Sequence, residues 1–186
     1  ILWQLPERHV FDRERLESFL DLLPRTTDEA FAMGAEHDDR VPEPFLGTDD
    51  DRANHRMRHV LEARNESFFS EEAVRVLRGA GVALAVSHAG DWEMREELTA
   101  GFVYVRLHGA PETYHSGYGE EELVRWARKI RSWAAAEEPR DAARITDRAP
   151  PPRKGRDVYV YFDNDAAGRA PHDARTLAEC IDRIDG

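Results

Sequence analysis

Groups that move protons or grip anions recur at the ends of short apolar runs. In Val103-Tyr104-Val105-Arg106-Leu107-His108-Gly109, a strand's period of two sends Val103, Val105 and Leu107 to one face. Tyr104, Arg106 and His108 go to the other. In Val158 to Asp165 the valines and Phe162 share a face, opposite Tyr159, Tyr161 and Asp163, with Asn164 and Asp165 just beyond. Val60, Glu62 and Arg64 fall together in a third run, followed by Asn65 and Glu66, and a fourth is followed by His88, Asp91 and Trp92.

Each residue type suggests a task. Glu62, His108 and Asp163 are the acid/base candidates, since histidine titrates near neutrality and carboxylates accept or orient protons. The guanidinium forks of Arg64 and Arg106 fit a carboxylate or phosphate, and an interior ion-pair network fixing the strands is the alternative. An unpaired buried charge costs several kcal/mol, so these groups must pair with something. His108 precedes Gly109, which lets backbone approach a ligand, although a hydrogen-bonded structural histidine fits as well. Asp163, Asn164 and Asp165 cluster oxygens as a hard cation would want, but the same run is ordinary turn chemistry, and no metal is assigned. Asn65, Asn164, Tyr104, Tyr161, Asp91 and Trp92 complete the expected substrate-binding set, with loop packing as the plainer reading of Asp91 and Trp92. Tyr114, His115 and Tyr118 suit a lid. The chain carries no CxxC, HExxH, GxSxG, P-loop or GxGxxG motif, and no cofactor is expected.

The elements that must position these groups are legible. Ile1–Leu5, Arg58–Arg64, Val82–Val86, Phe102–Leu107 and Asp157–Phe162 read as strands, punctuated by glycines. Between them, Asp12 caps a helix with Leu16, Phe19, Leu20 and Leu23 on one stripe, ended by Pro24. Ser70 opens a second helix, Glu120–Ala136 a third and Pro171–Ile184 a fourth. Asp38–Asn54 and Glu137–Arg156 read as surface loops rather than domain boundaries, so residues 1–186 form one domain. Alternating strands and helices imply right-handed βαβ units and about five parallel strands. An open sheet covered on both faces would have wholly apolar strands. One aliphatic and one polar face suit a β/α barrel, whose ligands sit at the carboxyl ends of the strands.

Composition narrows the partners. A net charge of −11 argues against nucleic acid and leaves a small-molecule ligand. No run of about 18 apolar residues is present to span a membrane. The single cysteine, Cys180, fits a core position in a reducing cytoplasm. The chain opens at Ile1 inside an apolar stretch, which suggests residues upstream.

Four ordered blocks resemble the YecE-like family, domain of unknown function 72. They are Ile1-Leu2-Trp3-Gln4-Leu5-Pro6 with Phe11, Asp12 and Leu16, and the run Arg58 to Ser67. The others are Phe102 to Gly109 with Tyr114 and Tyr118, and Asp157 to Asp165 with Ala170-Pro171-His172-Asp173-Ala174. The resemblance covers essentially the whole chain and implies a TIM-like (β/α) barrel. It also implies that the chain is a partial, carboxyl-terminal portion lacking about three βα units, because a full barrel needs roughly 250 residues. Such a portion would expose sheet edges, and self-association is the expected way to cover them. Asn65 stands where the family usually has His, Phe68 where it has Trp, and Asp163 and Asp173 where it has Asn. A histidine base at position 65 is therefore absent, and the family has no established activity to transfer. The expectation is an enzyme acting on a small polar or anionic metabolite, such as a sugar or phosphorylated compound, by acid/base chemistry. A non-catalytic ligand-binding barrel is the alternative.

Overall fold

Local capping chemistry starts the helices where the sequence places it. The Asp12 carboxylate accepts the Arg15 N–H at 2.8 Å and opens α1, Arg13–Asp21. Ser70 accepts from Ala73 N–H to open α3, Glu71–Ala80, which Gly81 ends in the left-handed conformation at φ 66°. Glu120–Ala134 forms α4 and Arg169–Asp185 forms α5. One helix escapes the hydrophobic pattern: α2, Thr27–Ala35, buries none of its residues. Its legible signal is the Thr26–Glu29 pair, in which Thr26 caps the Glu29 N–H and Glu29 reaches back to the Arg25 N–H.

This computed structural model describes residues 1–38, 40–41, 53–90 and 92–185. The expected loop at Asp38–Asn54 falls almost wholly outside them, as does the expected site residue Asp91. Among the described residues, no helix is long and apolar enough to cross a membrane.

The strands β1 (Leu2–Gln4), β2 (Val60–Glu62) and β3 (Ala83–Leu84) form one parallel sheet in that order. A second parallel sheet orders β4 (Val86–His88), β5 (Phe102–Leu107) and β6 (Asp157–Phe162). Parallel strands alternating with helices are as expected. The third expected strand, however, divides at Ala85. Its first half bonds to β2, its second half to β5, and the buried Thr99 side chain fills the gap. The Thr99 hydroxyl accepts the Leu84 N–H and donates to the Val82 carbonyl, each at 2.7 Å. No closed barrel forms among the described residues; β1 and β6 are the outer strands.

Alternation distributes the core. Outward residues of β1–β3, including Leu61 and Leu84, pack with Leu16, Leu20 and Leu77 of α1 and α3. Val103, Val105 and Leu107 of β5 pack with Leu123, Trp126, Ile130 and Trp133 of α4, and with Leu177 and Cys180 of α5. Cys180 is buried there as expected. A third cluster, Val60, Ala83, Ala85, Ala100 and Phe102 with Leu2 and Tyr104, occupies the other face and joins both sheets.

The Thr99 hydroxyl satisfies a buried strand donor that no neighbouring strand reaches. Thr99→Val keeps the side chain's shape and removes both bonds. A loss of about 2 kcal/mol in urea-unfolding stability is expected.

Candidate functional site

Period-two alternation brings Glu62 at the end of β2, Arg106 in β5 and Asp163 just after β6 onto one face, and they meet. Arg106 Nη1 donates to Glu62 Oε2 at 2.5 Å, and its Nη2 forms an ion pair with Asp163 Oδ2. The other Glu62 oxygen accepts from the Gln4 amide at 2.8 Å and lies 3.5 Å from Arg64 Nε. Glu62 is 1% exposed, so this pairing replaces nearly all of its water. Arg106 thus has its guanidinium committed to two carboxylates. The interior ion-pair network and the acid/base cluster are the same set of atoms.

His108 stands beside this network. Its Nδ1 is 3.4 Å from Asp163 Oδ2, the ring is fully buried, and neither nitrogen has a hydrogen-bond partner among the described residues. Burial and the Arg106 charge lower its pKa from the ordinary 6.5, while Glu62 and Asp163 pull the other way. The net effect leaves a neutral imidazole at pH 7. Trp92 meets the ring edge-on at 4.7 Å between centroids and Tyr114 at 5.4 Å, closing it off from solvent. Arg64 clamps this cover. Its guanidinium lies 4.2 Å over the Trp92 ring, and Nη2 donates to the Tyr114 hydroxyl at 3.3 Å. Tyr114 sits at φ 67°, a left-handed conformation that costs a tyrosine about 1 kcal/mol or more.

Other expected site residues do different work. Asn65 caps the short turn Glu66–Phe68 by accepting from Ser67 and donates to the Glu7 carbonyl at 2.6 Å. Asn164 is fully buried and donates to the Ser116 carbonyl and to Asp173 Oδ2, at 3.1 and 2.7 Å. That orientation separates Asn164 from Asp163, so the Asp163-Asn164-Asp165 run does not converge as cation ligands. No three His, Cys, Asp or Glu side chains converge that way among the described residues. Tyr104 and Tyr161 stack at 4.9 Å, Tyr104 two residues before Arg106 in β5 and Tyr161 in register with Arg106 on β6, with Tyr161 half exposed.

Asp173 also accepts the Tyr118 N–H at 3.0 Å, and Tyr118 is the hub of a second network. Burial pushes its phenol far above the ordinary value, so it stays protonated. Its hydroxyl accepts the Gly109 N–H and pairs with His88 Nδ1, at 2.9 and 3.0 Å. Burial lowers the His88 pKa, so that nitrogen is free to accept. These contacts pin the loops after β4, β5 and β6 to one another. The sequence reading missed Gln4 and the Asp173–Tyr118–His88 network. Alternation in β1 sets Gln4 beside Leu2, which was a usable signal for the first, whereas nothing local announces the second.

The family model described as "Protein of unknown function DUF72" matches residues 1–184. No curated protein matches the chain. Among solved structures, a DUF72 family protein from Thermotoga maritima is similar at 18% identity and a TM-score of 0.60, over 100% of this chain and 57% of that one. Two structures of a DUF72 family protein from Enterococcus faecalis are similar at 12% and 13% identity, with TM-scores of 0.57 and 0.58. Each is covered over 97% of this chain and 57% or 60% of the other. This chain therefore spans less than two thirds of the length of these relatives. At such identities the likeness is one of fold.

If Arg106 holds the network, Arg106→Met should destabilise the protein by about 3 kcal/mol, because it leaves a buried carboxylate short of its main partner. Adding Glu62→Gln should recover part of that loss. Denaturant titration of the single and double variants measures both.

Proposed function

Because the chain belongs to the DUF72 family, a family of unknown function, we propose its role from the chemistry of the site: an enzyme that moves a proton on a small polar metabolite. The observation that carries this reading is His108, fully buried and 3.4 Å from Asp163, at the carboxyl end of a parallel strand. His108 is the general base. Asp163 lies 3.4 Å from Nδ1, and closing that gap on substrate binding would engage the Nδ1–H, fix the tautomer and leave Nε2 for the substrate. Glu62 and Arg106 position Asp163 and set the local field, and Arg64 meets a polar or anionic group of the substrate at the lip. Trp92 and Tyr114 act as the lid that admits substrate and excludes water.

The same reading treats the two sheets as consecutive arcs of an incomplete β/α barrel. Three features support it: strands parallel and in chain order, a break at Ala85 alone, and an inner cluster shared by both sheets. The ligand-binding alternative also has an observation behind it. The cover over His108 is closed, with Arg64 stacked on Trp92 and bonded to Tyr114, as suits a protein that sequesters a molecule.

A screen of sugars, hydroxy acids and their phosphate esters, followed by proton NMR in deuterated water, tests the proposal. Turnover or solvent deuterium exchange should fall by about 100-fold or more in His108→Asn and clearly in Asp163→Asn, as expected for loss of a general base and its orienting partner. Saturable binding without exchange or turnover, in a folded protein, would instead select the sequestering function. The pH profile is a separate check. A base works only when unprotonated, so kcat/KM should fall with acidification through the folded pKa of His108. Since that pKa is lowered, the midpoint should lie below 6.5. An acid limb above that value would remove His108 from the role.

A further inference from the structure

The opposite end of the sheets holds a concentration of charge that the acid/base reading does not use. A cleft of about 650 Å³ opens where β2, β5 and β6 begin, a size that suits a small molecule. Its walls carry Arg25, Arg56, Arg58, Arg78, Arg153 and Arg156, against a single carboxylate, Asp157. In a chain of net charge −11, six arginines around one cavity run against the composition.

The fold accounts for three of the six. Arg58 pairs with Asp157 at 2.6 Å. Arg78 pairs with Glu97 at 2.5 Å and donates to the Leu98 carbonyl. Arg25 donates to the carbonyls of Leu20 and Ala80, at 2.9 and 3.0 Å. Arg56, Arg153 and Arg156 form no ion pair with any described residue.

Arg156 is the telling one. It is 6% exposed; Nη2 donates to the Pro151 carbonyl, while Nε and Nη1 have no hydrogen-bond partner among the described residues. The Glu138 carboxylate acts on it only through space, being paired with Arg144, so a desolvated guanidinium with two unengaged nitrogens still calls for an anion. Arg153 reaches the same cleft by lying against Gly101. A Cβ at that glycine would come within 2.6 Å of Arg153 Nε, so the absent side chain is what lets the guanidinium rest on the backbone.

We propose that this cleft is a second binding site, for a small metabolite bearing phosphoryl groups, gripped by Arg56, Arg153 and Arg156. Phosphoryl oxygens match several guanidinium forks at once, where a carboxylate offers only two oxygens. A nucleic acid is a poorer fit, because the chain as a whole carries a net charge of −11. The site is separate from the acid/base cluster. Phe102 at the start of β5 lines the cleft and His108 follows its end, roughly 20 Å away at strand rise.

Inorganic pyrophosphate is the probe, titrated into the whole chain by calorimetry and followed by phosphorus NMR. The wild-type protein should bind it, with inorganic phosphate weaker. Arg156→Met should lower affinity at least tenfold. Because Arg156 is buried and its replacement also disturbs packing, the exposed Arg153→Gln and Arg56→Gln carry the same expectation and keep the test independent of folding. Gly101→Ala should weaken binding several-fold by displacing the Arg153 guanidinium, with no charge removed. Arg64→Gln, at the other end of the sheets, should leave binding unchanged. The proposal fails if wild type binds neither probe at millimolar concentration. It fails equally if Arg64→Gln abolishes binding while Arg153→Gln and Arg56→Gln leave it intact. Sulfate binding as tightly as pyrophosphate would reduce the site to unselective charge and overturn the phosphoryl assignment. None of these outcomes depends on His108 chemistry, so the two readings fail independently.

Discussion

A carboxylate removed from water must be paired, and Glu62 is where that constraint shapes this protein. Its oxygens draw in Gln4 from β1, Arg64 from beyond β2 and Arg106 from β5. Arg106 then reaches Asp163 after β6. One buried charge therefore ties both sheets across their shared face, and the inner apolar cluster beneath it has its geometry fixed from above. Replacing a buried ion-pair network by apolar groups of equal volume is often neutral in stability. What the network supplies is a definite arrangement of charge around His108.

The loops around His108 are held by a different device. Tyr118 and Asp173 collect the Gly109 N–H, His88, the Tyr118 backbone and Asn164 into one set of bonds. Gly109 itself sits at φ 93°, and a Cβ there would come within 2.6 Å of the Ser116 carbonyl, so the close approach of these loops requires glycine. The rigid network lies to the side of His108, and the strained Tyr114 and the stacked Trp92 lie over it.

The two ends of the sheets also differ in electrostatic character. At the carboxyl ends, arginines and carboxylates are balanced and engaged with each other. At the amino ends, arginines outnumber carboxylates, and Arg56, Arg153 and Arg156 form no ion pair with a described residue. The difference follows from which side chains the strands present at each end, since Arg58 and Asp157 open the runs that Glu62 and Asp163 close.

Local rules acting along the chain were enough to set the elements and their faces. Capping by Asp12 and Ser70, the stripes of α4 and α5, and strict alternation in β5 and β6 are local signals, carried within a few residues by steric and hydrogen-bonding rules. They were enough to place Glu62, Arg106, His108 and Asp163 on one polar face. What those groups do to one another was settled only when distant segments packed together. Whether Arg106 grips a ligand or two carboxylates, and whether Asn65 and Asn164 face a substrate or cap a turn and brace loops, depends on partners some 45 to 60 positions away for Arg106, Asn65 and the Asn164–Ser116 bond. The split of the third strand at Ala85 is decided in the same way, by a threonine hydroxyl from a later segment. Such pairings are fixed by packing in three dimensions, which no period of two or 3.6 residues records.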